Sequence, residues 1–189
     1  LHAIGNAYLS SSTPQAAIES YKEALEVIQK IPHANQYAKT LLPQLILTKL
    51  KYHQMTDIED YIGELESITD KGGNPQDDFH LVYCQAFYRI QTHHLPEALS
   101  YIRQAEQISR EYQYPYFHLM IKYLYFSYYT ESKEYIQALT TLNELLSHTK
   151  AAGSYTSLQV QKDRAHILAL MGKSKEACEA YEIFNTYKD

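Results

Sequence analysis

Tryptophan is absent from the 189 residues, and cysteine, glycine and proline are scarce, with two Cys, six Gly and six Pro. Two cysteines cannot form the disulfide framework of a small secreted domain. So little Gly and Pro is low for a loop-rich β-sandwich and normal for a helical protein. Lys and Arg number 17 against 22 Asp and Glu, a net charge of −5, which argues against nucleic-acid binding. The apolar runs span only a few residues, so the sequence predicts no contact with a membrane.

What the chain does contain is enough apolar material for a core. Hydrophobic residues make up 45% and charged residues 21%, which argues against disorder. The length indicates one domain or one elongated array. Tyrosine is unusually frequent, with 19 copies beside five Phe. The chain starts at Leu1 inside a helix-like pattern and without Met, so we expect it to be a fragment of a longer protein.

The first 24 residues predict a pair of helices joined by a turn. Apolar and small residues recur every three or four positions over residues 1–8 and again over residues 17–24. Between them lies the polar segment 10–14, which ends on Pro14 where a helix can begin. The sequence therefore predicts a helical hairpin with a small residue on each helix.

The same pattern returns along the whole chain and predicts a repeat. Its anchor residues, 44, 37, 40 and 39 positions apart, are Ala17, Tyr61, Ala98, Ala138 and Ala177. Small anchors let helices pack at the lower end of the usual 8–10 Å spacing. Because a hairpin cannot bury its apolar face alone, neighbouring hairpins must stack.

This pattern resembles the tetratricopeptide repeat. The match is closest in Leu1-x-x-Ile4-Gly5-x-x-Tyr8 with Ala17, Tyr21 and Ala24, and in Ala165-x-x-Leu168 with Gly172, Ala177, Tyr181 and Phe184. The resemblance implies an all-α, right-handed superhelix of about five hairpins. We expect a single array over 1–189, with repeats at roughly 1–31, 36–70, 78–111, 115–150 and 155–188. The family repeat is about 34 residues, so longer helices or loops are expected here. Pro43 predicts a kink or a late helix start in the second unit.

The resemblance also implies a ligand groove on the first helix of each hairpin. Its positions would be His2, Asn6, Ile46, Leu50, Tyr83, Phe87, Tyr123, Ser127, Lys162 and His166. Asn6 matches a position of the family's clamp for a carboxylate, but His2 stands where the family has Lys, which disfavours that ligand. An aromatic centre with polar ends suits an extended or helical peptide with apolar anchors. The same aromatic surface could instead pack against segments outside this chain or a second copy, as in a homodimer.

A further resemblance lies at the end of the chain. The segment Lys175-Glu176-Ala177 with Ala180 and Tyr181, running to Asp189, is similar to the last repeat before the membrane helix of bacterial sensor proteins. It implies a sensor or regulatory region of a larger bacterial signalling protein of the two-component type. Such a region would lie on the periplasmic side of the inner membrane, and otherwise the chain would be cytoplasmic.

Candidate chemical motifs favour structural roles. Gly172-Lys173-Ser174 lacks the preceding Gly of a phosphate-binding loop and predicts a helix–helix turn. His93-His94 predicts a polar turn, because a zinc site needs three or four convergent ligands. Cys84 and Cys178 predict packed thiols.

We therefore expect no catalytic, cofactor-binding or metal-binding residues, and a non-catalytic interaction scaffold. A small-ligand receptor with a closed aromatic pocket and an enzyme on a helical scaffold remain alternatives. Two interpretations of the densest aromatic segment stay open: its side chains either pack in the core or form a ligand-binding surface. The segment comprises Tyr112, Tyr114, Tyr116, Tyr123, Tyr125, Tyr128 and Tyr129.

Overall fold

A computed structural model describes residues 13–149 and 155–186. Within those two ranges the chain forms nine α-helices and no strand, which confirms the all-α prediction. The helices are α1 (Pro14–Gln29), α2 (Asn35–Lys51), α3 (Ile58–Ile68), α4 (Pro75–Gln91), α5 (Leu95–Tyr112), α6 (Pro115–Glu131), α7 (Tyr135–Thr149), α8 (Tyr155–Leu170) and α9 (Ser174–Thr186). No helix of the described ranges combines the length and the apolar character needed to cross a lipid bilayer.

Consecutive helices pair as hairpins. Helix α2 packs on α3, α4 on α5, α6 on α7, and α8 on α9. Helix α1 packs on α2 and corresponds to the second helix of the first predicted hairpin, whose first helix falls outside the described residues. The stacked-hairpin prediction is thereby confirmed for the described part of the chain.

The hairpins stack so that their first helices form one layer. Helix α4 packs against both α2 and α6, which are the first helices of the hairpins on either side. The second helices α3, α5 and α7 instead each pack on the first helix of the following hairpin. Since first helices lie closest together, they form the inner layer of the curved array and the second helices form the outer layer.

The small anchors Ala98, Ala138 and Ala177 lie in the core between the two helices of their hairpins, and Ala17 lies in the core that α1 shares with α2. Ala17, Ala98, Ala138 and Ala177 are all buried, and each donates its backbone N–H to a carbonyl four residues earlier at the start of a second helix. Burial without a bulky side chain is what allows the two helices of a hairpin to approach closely.

A repeated turn closes each hairpin. His53, His93, Lys133 and Gly172 all have positive φ, at intervals of 40, 40 and 39 residues. In each case the N–H of the next residue donates to the carbonyl five residues before it. The four donor–acceptor pairs are Gln54 to Lys49, His94 to Arg89, Glu134 to Tyr129 and Lys173 to Leu168. This is the Schellman arrangement, which satisfies the last carbonyls of a helix. The predicted turns at His93-His94 and Gly172-Lys173-Ser174 are confirmed.

Pro43 does not delay the start of the first helix in the second predicted repeat. Helix α2 begins at Asn35 and continues through Pro43, so the alternative of a late start is wrong. The helix tolerates the missing N–H because both of its sides are covered: Leu42, Leu45 and Ile46 are fully buried in the core shared by α1, α2, α3 and α4.

Side-chain contacts hold successive first helices together. The ammonium of Lys39 on α2 lies 3.1 Å from the carboxylate of Asp77 on α4, and both side chains are mostly buried. Between α4 and α6, the rings of Phe79 and Phe117 stack with centroids 3.7 Å apart. A charged pair and an aromatic pair thus fix the spacing of the inner layer.

Candidate functional site

Six of the ten predicted groove residues lie on the first helices of three consecutive hairpins. Tyr83 and Phe87 are on α4, Tyr123 and Ser127 are on α6, and the list ends with Lys162 and His166 on α8. We call these six residues the inner groove. The four residues on α4 and α6 are half-buried, whereas Lys162 and His166 are exposed. The groove therefore runs from a mostly enclosed aromatic part to an open polar end.

The remaining four predicted residues do not join the inner groove. His2 and Asn6 lie outside the described residues. Ile46 and Leu50 are fully buried in the core around α2 and present no surface to a ligand. They belong to the core that α2 shares with α1, α3 and α4, so neighbouring helices cover these positions.

Tyr83 and Phe87 form the aromatic part of the groove on α4. The ring of Tyr83 stacks on that of Phe79 with centroids 6.0 Å apart. Burial raises the pKa of the Tyr83 phenol, so this hydroxyl stays protonated at neutral pH. Phe87 packs against the two core clusters on either side of α4. Both rings are therefore held by the core on one side and leave part of their surface uncovered.

A hydrogen-bonded bridge joins α6 to α8 across the groove. The hydroxyl of Tyr123 donates to Oδ2 of Asp163 at 2.9 Å, and the side-chain amide of Gln159 donates to Oδ1 at 2.9 Å. Ser127 donates its hydroxyl to the backbone carbonyl of Tyr123 at 3.0 Å, and its oxygen can still accept a hydrogen bond. Tyr123 is thus both a groove residue and a link between two hairpins.

Burial dominates the electrostatics of Asp163. Loss of solvent raises its pKa, and this effect outweighs the hydrogen bonds from Tyr123 and Gln159, which lower it. Lys51 and Lys162 also lower this pKa through their charges.

The sequence analysis missed Asp163 and its partner Gln159. A usable signal was present, because Asp163 lies three residues after the buried Val160 and four before the buried Ile167. A carboxylate on a buried helical stripe requires a hydrogen-bonding partner. The neighbouring Gln161 is also notable, since its Oε1 is buried and accepts no hydrogen bond from the residues that the structure describes.

The aromatic segment divides between core and surface. Tyr112, Tyr114 and Tyr116 are exposed around the start of α6, whereas Tyr123, Tyr125, Tyr128 and Tyr129 are half-buried and pack on the cores. Tyr125 and Tyr129 stack at 5.8 Å, and burial together with Glu106 raises the pKa of Tyr125 to about 12.

The cysteines and the turn histidine that could carry chemistry differ in their surroundings. Cys84 is fully buried as expected, and burial raises the pKa of its thiol, which disfavours the nucleophilic thiolate. The prediction of a packed thiol is wrong for Cys178, which is exposed on α9. His93 is exposed in its turn and pairs with Glu131 at 2.6 Å. In the described ranges, no three His, Cys, Asp or Glu side chains gather as metal ligands would.

Comparison with known proteins bears on the fold. No family model matches the chain, and no curated protein matches its sequence. Among solved structures it is similar to a Rap protein complexed with competence and sporulation factor, with a TM-score of 0.79 and 18% identity over 98% of this chain and 52% of that protein.

Two further structures share the architecture. Nearly identical TPR-like repeats assigned to a kinesin light chain of Podospora anserina match with a TM-score of 0.58 and 14% identity, over 99% of this chain and 92% of theirs. The apo form of RapI matches with a TM-score of 0.54 and 15% identity, over 97% of this chain and 51% of RapI. The chain thus spans about half the length of the two Rap proteins. These matches confirm a right-handed, tetratricopeptide-like superhelical fold.

Proposed function

We propose that this chain is a non-catalytic scaffold that binds a protein or peptide in the inner groove. The observation that carries the proposal is that α4 packs beside α6 and that the Tyr123–Asp163 hydrogen bond joins α6 to α8. These three helices carry the half-buried Tyr83, Phe87 and Tyr123 and the exposed Lys162 and His166. Aromatic side chains with uncovered faces accept apolar anchors of a polypeptide, and the polar end fixes its direction.

Two further facts support a binding role. A Rap protein of the same fold forms a complex with competence and sporulation factor. Tyr123 and the neighbouring Asp163 satisfy each other as donor and acceptor, which suits a structural link between two hairpins of a scaffold better than acid–base catalysis.

At a finer level, we propose that the whole of 1–189 is one array and serves as the sensor or regulatory region of a larger bacterial signalling protein. A ligand that prefers one curvature shifts the population toward that curvature. Because each hairpin contacts only its neighbours, small rotations add along the array. Solution scattering with and without a bound peptide tests this mechanism, and an unchanged profile at saturation contradicts it.

The binding surface is tested with peptides selected from a random displayed library. A photo-crosslinking amino acid is placed at Phe87 in the groove and, as the matched control, at Ile136, which is exposed on the outer helix α7. We expect selected peptides to crosslink at position 87 and not at 136. Crosslinking at 136 alone would refute the inner groove as the binding surface.

A further inference from the structure

The outer side of the array carries a cleft that the inner groove does not explain. It lies between the outer helices α3 and α5, with α4 as its floor, and has a volume of about 250 Å³. Its walls are Glu59, Ile62, Gly63 and Glu66 on α3, Gln85, Tyr88 and Arg89 on α4, and Tyr101 on α5. The cleft is smaller than the roughly 300–1,000 Å³ typical of sites for drug-sized ligands, so it fits one long side chain.

Gly63 keeps the cleft open at a cost to its helix. It lies in the interior of α3, where glycine is less favourable than alanine by about 0.5–1 kcal/mol. A Cβ at this position would meet no atom within 4 Å, so packing within the chain does not require glycine here. The space beside the Gly63 Cα opens into the cleft, so a side chain from another molecule could occupy it and contact α3 there.

The cleft is anionic and aromatic. Glu59 and Glu66 stand one above the other on the same face of α3, at the two ends of the α3 wall. Tyr88 and Tyr101 line the opposite side, and burial together with Glu59 raises the pKa of the Tyr88 phenol. The combination of carboxylates with phenol rings favours a cation, through charge-assisted hydrogen bonds and contact with the ring faces.

The cationic side chains near the cleft are already engaged. The Nε of Arg89 lies 3.1 Å from a carboxylate oxygen of Glu97, and its Cζ lies 5.5 Å from the centroid of the Tyr88 ring. The charge of Arg89 is therefore paired with a carboxylate that does not line the cleft. Lys71 pairs with Glu66 at 2.8 Å, but both side chains are exposed, and such surface pairs contribute about 0–1 kcal/mol. A ligand cation can therefore replace Lys71 at little cost, while Glu59 keeps no cationic partner in the described structure.

We propose that the outer cleft binds a single arginine or lysine side chain projecting from a partner protein. The occupant inserts its alkyl stem over Gly63 and Ile62 and brings its charged head between Glu59 and Glu66. This second surface lies on the opposite side of the array from the inner groove, so one chain can hold two polypeptides at once.

The proposal is tested by titrating short capped peptides into the chain while observing the backbone amide of Gly63 by NMR. The probes are an alanine pentapeptide with central arginine, the same peptide with lysine, and the same peptide with citrulline, which keeps the shape of arginine without its charge. Arginine amide serves as the free small-molecule cation. We expect saturable shifts with the arginine and lysine peptides and none with citrulline.

Two variants separate charge from shape. Replacing both carboxylates, Glu59→Gln with Glu66→Gln, should weaken binding by about tenfold or more, since each charge-assisted hydrogen bond contributes about 1.5–3 kcal/mol. The matched control is Glu64→Gln, which removes the same charge from α3 at a residue outside the cleft that bonds to Gln29. Gly63→Leu places a side chain in the cleft from a position where a Cβ meets no atom within 4 Å, and it should abolish binding while it raises the melting temperature.

The outcomes are decisive in either direction. Binding lost in the double variant and in Gly63→Leu, but kept in Glu64→Gln, supports the proposal. Equal binding of the citrulline peptide, or unchanged binding in Gly63→Leu, overturns it. Equal affinity for arginine amide and the peptides would overturn a partner protein as the source of the cation and leave a free amine as the ligand.

Discussion

The four hairpin turns allow a test of backbone strain at equivalent sites of one molecule. The left-handed residue of each turn has φ between 55° and 74°, and the four are His53, His93, Lys133 and Gly172. Only the fourth is glycine, which adopts this conformation without steric cost. We predict that Gly172→Ala destabilises the chain and that Lys133→Gly stabilises it.

The magnitude follows from two opposing terms. A side chain in the left-handed region costs about 1–2 kcal/mol, because Cβ approaches the following carbonyl oxygen. Glycine in turn destabilises the folded state by about 0.5–1 kcal/mol, because its backbone loses more conformational freedom on folding. A Cβ at Gly172 meets no other atom within 4 Å, so no packing clash adds to the difference. We expect Gly172→Ala to lower the free energy of unfolding by about 1 kcal/mol and Lys133→Gly to raise it by about the same amount.

Urea unfolding followed by circular dichroism measures both effects. The midpoint should shift while the slope stays constant, because neither change alters the surface exposed on unfolding. Gly172→Lys is the matched control, since it recreates at the fourth turn the residue found at the third. If Gly172→Ala and Lys133→Gly shift the midpoint in the same direction, the strain argument is refuted.

Three other changes have definite expected results. Ala138→Leu should destabilise by about 1–3 kcal/mol in the same unfolding assay, because the anchor is fully buried between α6 and α7. Lys49→Met should leave the free energy of unfolding unchanged or raise it. Burial and the charge of Lys22 lower the pKa of the Lys49 ammonium, which means that the folded state disfavours its charge. A clear decrease in the free energy of unfolding would contradict this reasoning. Asp163→Asn should flatten the pH dependence of stability. Burial raises the pKa of Asp163 in the folded state above its ordinary value of 3.8. The carboxyl group therefore contributes most to folding stability at a pH below 3.8, and this contribution is lost as the pH rises through the pKa of the folded state.

The hairpins were predictable because their signals are local. The anchors Ala98, Ala138 and Ala177 each start a second helix after a turn of polar residues, and the structure buries all three. Helical period and small-residue spacing depend on neighbours within the same hairpin, so they can be read along the chain. The continuation of α2 through Pro43 depends instead on the packing of other hairpins.

The candidate site was predictable only in part, because it depends on contacts between hairpins. Ile46 and Leu50 match the expected groove positions in sequence, yet the core around α2 encloses them. The bridge from Tyr123 to Asp163 joins residues 40 positions apart, and no local pattern specifies such a pair. Cys178 is exposed because α9 packs chiefly on α8, so its other side stays uncovered within the described structure.

The most direct test of the account is a crystal structure of the chain with its tightest library-selected peptide. The account predicts the peptide along α4, α6 and α8, with an apolar side chain against Phe87 and a polar group near Lys162. A peptide bound instead across the outer helices α3, α5 and α7, with the inner groove empty, would contradict it.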